Sequence, residues 1–273
     1  MSLPLVLIDG EPIDALAPAV APVDLGLIRG VGVFEAVRVH DTVPFALDRH
    51  LDRLSRSATA NGTPLADRAD LERWCRQLAA TARDGVLRLV ATPGSPYGSA
   101  PRTILIAEPV PEVLDSYRFA TVAAPWHPAG AEWVLSGAKT ISYGPNMAAT
   151  EEAKARGFDD AILISRDGIV LEGPTSSVGW VSDGAIVLPD LSLGVLDSIT
   201  RRVALELAES LGIPHHTAAT PIDTLLSADE VLVMSTVKAV RPVVEVDGNH
   251  FEVGPIARQL MDAWDGMVAG LRR

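Results

Sequence analysis

Ser136-Gly137-Ala138-Lys139-Thr140-Ile141-Ser142-Tyr143-Gly144-Pro145-Asn146 sets one lysine among small residues and follows it with a tight polar segment. Helical spacing begins near Asn146, runs to Arg156 and stops at Gly157. Upstream, residues 119–124 alternate like a strand. An amine nucleophile needs a depressed pKa, which burial supplies, so a lysine at such a join is a candidate for amine chemistry. Seen alone, Lys139 also reads as an ordinary surface residue.

Outward from this segment the chain reads as two α+β halves. In the first, strands are expected at residues 5–8, 32–39, 86–90 and 103–107, with helices over 47–61 and 67–83. The first helix carries Leu47, Leu51, Leu54 and Ala58 at helical spacing, and Gly62 ends it. The prolines at 109 and 111 mark a break, because proline neither continues a helix nor pairs in a central strand. Beyond it, strands are expected at 160–164, 169–171, 178–181, 231–234 and 243–246, with a helix from Ser198 to Leu211. Arg166-Asp167-Gly168 is the expected turn of a hairpin. The division is a smaller N-terminal domain over 1–115 and a larger one over 116–273.

Composition narrows the function classes. The chain has 273 residues, 48% of them hydrophobic, which suits two modest domains with real cores. Its 23 basic against 35 acidic side chains give a net charge of −12, which disfavours nucleic acid as a partner. No apolar run is long enough to span a bilayer, and Met1-Ser2-Leu3-Pro4 lacks a signal peptide's basic start. Cys75 is the single cysteine, so no disulfide forms within the chain and no cysteine cluster holds a metal. The expectation is a cytoplasmic protein without a membrane partner.

Several residues pair with Lys139 in a chemical reading, each with a plainer alternative. Glu172 ends an apolar strand before Gly173-Pro174-Thr175-Ser176-Ser177; it is a strand-end charge, or a carboxylate that keeps a pyridine nitrogen protonated. Ser198-Ile199-Thr200-Arg201 at a helix start and Ser235-Thr236 at a strand end offer N–H groups and hydroxyls to a phosphate. A simple N-cap explains the first equally well. Arg53 could add a guanidinium to the same phosphate or lie on a solvated helix face.

Taken in order, these motifs resemble the fold-type-IV pyridoxal-phosphate enzymes, which include branched-chain and D-amino-acid aminotransferases, R-selective amine transaminases and aminodeoxychorismate lyases. The resemblance runs through Gly30-Val31-Gly32-Val33-Phe34-Glu35 with Arg38, then 45–58, Lys139 to Gly157, Gly168 to Val178, Leu196 to Arg201 and 231–248. It implies an α+β, two-domain fold with the cofactor cleft between the domains. It implies Lys139 as the Schiff-base lysine and proton shuttle, and Glu172 on the pyridine nitrogen. Arg53, Ile199, Thr200 and Thr236 would hold the phosphate, with Ser176, Ser177, Ser198 and Ser235 lining the cofactor. Tyr143 resembles the tyrosine that contacts the cofactor's phenolic oxygen, one residue nearer the lysine than in the branched-chain enzymes. The resemblance also implies a homodimer, an amino donor and an oxo-acid acceptor, and no metal.

The sequence departs from the family at Val31, where Gly-Asp-Gly is common, at Ala36 in place of a threonine, and at Ser177 in place of asparagine. Asp197-Ser198 replaces Pro-Gly or a similar pair, setting a carboxylate near a presumed phosphate. For the substrate, Phe34, Ala36 and Arg38 share one strand face, so Arg38 could anchor a carboxylate. Arg29 is a second candidate anchor, and Trp126 could wall the pocket with His127. A transaminase is the expected activity, because Ala36 lacks the hydroxyl common in lyase-like sequences. Aminodeoxychorismate lyase, which releases pyruvate, is the alternative. A cofactor-binding homologue without catalysis is a third, motivated by Val31, Ser177 and Asp197.

Overall fold

A computed structural model describes residues 4–17 and 19–271. It divides into two compact units, the first comprising Met1–Glu112, Ala138–Ser142 and Val268–Arg273, the second Val113–Gly137 and Tyr143–Met267.

The first unit runs β1 (Leu5–Ile8), β2 (Glu11–Ile13), α1 (Leu25–Arg29), β3 (Val33–His40), β4 (Val43–Pro44), α2 (Leu47–Asn61), α3 (Arg68–Ala82), β5 (Gly85–Thr92) and β6 (Arg102–Glu108). Its sheet has the order β2-β1-β6-β5-β3-β4 with every neighbour antiparallel. Along β3, Val33, Val37 and Val39 are buried in a core with Leu47, Leu51, Leu54 and Ala58 of α2 and Leu71, Trp74 and Leu78 of α3. Period-two alternation on the strand meets period-3.6 spacing on the helices, and their apolar sides coincide. Gly62, at φ 70°, closes α2 in the left-handed conformation that spares glycine a Cβ clash.

Five residues return to this unit from far along the chain. Thr140 bridges Val33 antiparallel, Phe34 N–H donates to Lys139 O at 3.0 Å, and Ile141 N–H donates to Gly32 O at 3.0 Å. Val33 already pairs with Ala91 of β5, so the stretch adds to the other edge of β3. A Cβ on Gly32 would lie 2.6 Å from Ala91 O and 2.8 Å from Ile141 Cδ1, so the close approach requires glycine. A single cut near residue 115 places Lys139 in the second half; the backbone pairing instead places it in the first unit.

The second unit comprises β7 (Tyr117–Ala123), α4 (Gly144–Ala155), β8 (Asp160–Ile164), β9 (Ser177–Ser182), β10 (Ala185–Pro189), α5 (Ile199–Ser210), β11 (His215–Ala218), α6 (Ile222–Leu226), β12 (Glu230–Ser235), β13 (Ala239–Val246), β14 (Asn249–His250) and most of α7 (Pro255–Leu271). The mixed sheet has the order β11-β10-β9-β12-β13-β7-β8, with β14 on β13. Both sheet faces are covered: Phe119 and Ile162 face one core cluster, Ala120, Val122, Ala161 and Leu163 the other. The strands therefore read as continuous apolar runs. Residues 169–171, expected as a strand, form only isolated bridges, Ile164 with Val170 and Ile169 with Pro221. The buried carboxylate of Glu230 accepts N–H bonds from Ile256 at 3.0 Å and Ala257 at 2.7 Å, which caps the start of α7.

Candidate active site

In the first unit, α2 presents His50, Arg53 and Ser57 on its buried side. Ser57 Oγ accepts the backbone N–H of Lys139 at 3.0 Å. Lys139 is 8% exposed, and its Nζ stands 4.2 Å from the ring centroid of Phe34. The aromatic face offers the ammonium partial compensation for lost water. The chain has three lysines, and the other two are differently employed. Lys154 is exposed and paired with Glu151 at 2.9 Å. Lys238 is tied to the buried Asp160 at 2.7 Å and lies over the rings of Tyr117 and Phe119.

Arg53 is buried, not on a solvated face. Its Nε donates to Glu35 Oε1 at 2.7 Å and its Nη2 to Glu35 Oε2 at 2.8 Å, while His50 Nδ1 meets Glu35 Oε2 at 2.7 Å. Burial pushes the Glu35 carboxyl upward, but the charges and hydrogen bonds of Arg53 and His50 outweigh it and hold the pKa at about 2. Burial lowers the pKa of His50, opposed by Glu35 and reinforced by Arg53 and Lys139. The imidazole is therefore neutral near pH 7, and Arg53 supplies the lasting counter-charge. Sequence reading assigned no role to Glu35 or His50; a carboxylate at a core position of β3 was the available signal.

The candidate substrate residues divide. Phe34 and Ala36 share the half-buried face of β3. Arg38 lies further along that face, but its Nη2 pairs with Asp84 at 3.0 Å and its Nη1 donates to Gly85 O at 3.0 Å and to Val39 O. Arg29 is exposed at the end of α1, and the next residue, Gly30, accepts a bond from Ser142 Oγ at 2.8 Å. Arg29 is thus on a segment held against the Lys139 stretch, whereas Arg38 is committed to a turn.

In the second unit, Glu172 Oε2 accepts the N–H of Leu196 at 3.0 Å, and Oε1 lies 3.7 Å from His127 Nε2. Ala129 N–H donates to His127 Nδ1 at 3.1 Å, so in the neutral ring the proton sits on Nε2, facing Glu172. Sequence reading gave His127 only a place in a pocket wall. Asn146 Nδ2 holds the following loop by donating to Pro174 O at 2.9 Å. Ser176 Oγ is buried with no hydrogen-bond partner, and the buried Ser177 opens β9 opposite Met234. Trp126 is 39% exposed.

Ser198 is the N-cap of α5, its Oγ accepting from Arg201 N–H at 3.3 Å. Ile199 and Thr200 open the helix, where backbone N–H groups lack intrahelical acceptors. Asp197 is neutralised by Arg202, whose Nε donates to Oδ1 at 2.7 Å and whose Nη2 reaches Oδ2. Arg201 is buried; burial lowers its pKa against the raising charges of Asp197, Asp190 and Glu172. Ser235 Oγ accepts the N–H of Lys238 at 3.1 Å, and Thr236 is half-buried in the turn after β12. Tyr143 is half-buried and precedes α4.

These groups suit pyridoxal phosphate. Taken unit by unit, the first offers a buried amine for its aldehyde (Lys139) and a guanidinium for its phosphate (Arg53), and the second offers a carboxylate for its ring nitrogen (Glu172) and a helix start for its phosphate (Ile199, Thr200). The unsatisfied Ser176 Oγ, four residues after Glu172, is a further donor to be met. Among the described residues, no group of three or more His, Cys, Asp or Glu could hold a metal ion.

Comparison with known proteins matches residues 32–246 to the model for amino-transferase class IV. The chain is 30% identical to a bifunctional aminodeoxychorismate lyase / D-amino acid transaminase of Mycobacterium tuberculosis, covering 98% of this chain and 100% of that one. It is 30% identical to a D-alanine aminotransferase of Bacillus licheniformis, covering 96% of each. Among solved structures, a hypothetical aminotransferase from Mycobacterium tuberculosis in its PLP-bound form superposes with a TM-score of 0.89 at 30% identity, covering 98% of this chain and 100% of that one.

Proposed function

The chain belongs to the class IV aminotransferases and is a pyridoxal-phosphate-dependent transaminase, and on that premise we propose that it moves the amino group of a D-amino acid or R-amine to an oxo acid. The observation that carries the site assignment is Lys139, buried over Phe34 and tied by its backbone to the helix that bears Arg53. When bound, the cofactor supplies an aldehyde that takes the substrate nitrogen and a ring that accepts electrons from the substrate Cα–H bond. Lys139 Nζ would take the Cα proton of the bound substrate and hold it for return. Glu172, held in place by Leu196 N–H, would keep a proton on the ring nitrogen. Arg53 would hold the phosphate, a role the N–H groups of Ile199 and Thr200 and Thr236 would share. Ser176, Ser177, Ser198 and Ser235 would line the same cofactor, and Tyr143 would serve its phenolic oxygen.

Arg29 is the better-placed anchor for a substrate carboxylate, because Arg38 is already held by Asp84 and two carbonyls. Phe34, Ala36 and Trp126 shape the remainder of the substrate pocket. The D configuration is supported by two relatives named for D-amino-acid transamination. Aminodeoxychorismate lyase is the second reading, supported by the bifunctional name of one of those relatives. Ala36, without a hydroxyl, favours the transaminase. We also assign a homodimer, on the exposed Leu16, Leu27 and Ile28 of the first unit and Trp133 and Val134 of the second. A cytoplasmic location is supported by the single cysteine. Among the described residues no helix is long and apolar enough to cross a membrane.

The half-reaction tests the activity. D-alanine should bleach the visible absorbance of the yellow enzyme, and pyruvate should restore it. Absence of bleaching with every amine, together with pyruvate release from aminodeoxychorismate, establishes the lyase instead.

A further inference from the structure

Glu35 occupies a position where the fold calls for an apolar side chain. It lies on the buried face of β3 between Val33 and Val37 and has no exposure to solvent. A carboxylate there is costly unless fully paired. Its two oxygens take one edge of the Arg53 guanidinium, Nε and Nη2, and His50 Nδ1 adds a third contact on Oε2. Because the guanidinium is a rigid plane, fixing that edge fixes the direction of the N–H bonds on Nη1, which aim away from Glu35. One helical turn further along α2, Ser57 fixes the backbone of Lys139. The same helix face thus sets both the arginine fork and the lysine.

We propose that Glu35 is the positioning residue that aims Arg53 at the cofactor's phosphate, so that preference for phosphorylated over unphosphorylated cofactor depends on the Glu35 carboxylate. The proposal rests on the assignment of Arg53 to that phosphate. His50 supports the same geometry from the side of Glu35 away from the Nε contact, as a neutral donor that adds no charge to the pair.

A buried pair that serves only stability gives a different result from one that aims a ligand contact. The experiment measures equilibrium binding of pyridoxal 5′-phosphate and of pyridoxal, which lacks the phosphate, to the full-length apoprotein. Wild type, Glu35→Gln, Glu35→Asp and Arg53→Lys are compared. Glu35→Gln leaves Arg53 buried without a counter-charge and can unfold the chain; Glu35→Asp keeps the charge and displaces the carboxylate by one methylene. In either Glu35 variant, affinity for pyridoxal 5′-phosphate should fall by roughly tenfold or more while pyridoxal binding stays within about twofold. Equal loss for both ligands, or loss for neither, overturns the role of Glu35. If Arg53→Lys alone loses the preference, the arginine assignment stands and the Glu35 proposal fails. If Arg53→Lys keeps the preference, the phosphate assignment itself fails.

Discussion

The backbone N–H of Lys139 donates to Ser57 Oγ at 3.0 Å, across 82 positions of sequence. This bond, with the pairing of Thr140 to Val33, holds the lysine segment on the edge of β3 and against α2. Position, more than the identity of the neighbouring residues, is what supports the proposal of Lys139 as the reacting amine.

Replacing Ser57 with alanine leaves a buried N–H without its acceptor, at a cost of about 1–3 kcal/mol. Urea denaturation should show that loss. Because the lysine backbone is no longer held, kcat should fall with little change in KM. Unchanged stability and kcat would mean that the segment is held by its strand pairing alone.

Acid should weaken the fold in two stages. His50 has a folded-state pKa below its ordinary 6.5, so the unfolded chain binds the proton more readily, and stability declines as pH falls below about 6.5. Glu35 has a folded pKa of about 2 against 4.5, so its contribution is present above 4.5 and is lost as pH falls from there towards 2. In His50→Gln, which keeps a donor without titrating, the unfolding midpoint should change less between pH 6.5 and 5 than in wild type. An identical decline in both proteins would assign the upper stage to another group.

The two substrate arginines should separate kinetically. Arg29→Met should raise KM for amino acids by roughly tenfold or more, the loss of one charged contact, and leave simple amines unaffected. Arg38→Met should lower stability through the lost pairing with Asp84 and the carbonyls, with KM little changed. The reverse pattern would make Arg38 the carboxylate anchor.

Glu172→Gln should retain the fold, since Leu196 N–H still finds an acceptor. Without the carboxylate the ring nitrogen is no longer kept protonated, and kcat should drop by about 10²–10³-fold, as for loss of a preorganised electrostatic partner. Steady-state kinetics with D-alanine and pyruvate measure this. A drop of less than about threefold would remove Glu172 from that role, given the same scale.

The local pattern was legible where one period dominated. The limits of α2 at Leu47 and Asn61 follow from its apolar spacing and Gly62, and β8 follows from its apolar run. Other signals were present and unread. Pro255 opens α7, with Ile256, Leu260 and Trp264 at helical spacing behind it, and Asp183-Gly184 turns β9 into β10. What sequence could not carry was pairing at a distance. Lys139 reads as part of the second half until its bonds to Phe34 and Ser57, and that of Ile141 to Gly32, are seen. Glu35 shares a strand face with Val33 and Val37, but its role has no sign in the sequence until Arg53 and His50 are found beside it, because ion-pair geometry is set by tertiary packing. The carboxylate of Asp197, unfavourable on paper beside a phosphate, is answered by Arg202 on the next helical turn.

The most direct measurement is the site of covalent attachment. The yellow holoenzyme is reduced with borohydride, digested, and searched by mass spectrometry for a phosphopyridoxyl group on each of its three lysines. The group should be found on Lys139 and nowhere else. Finding it on Lys238 or Lys154, or on no lysine, would contradict the assignment of Lys139 as the reacting amine.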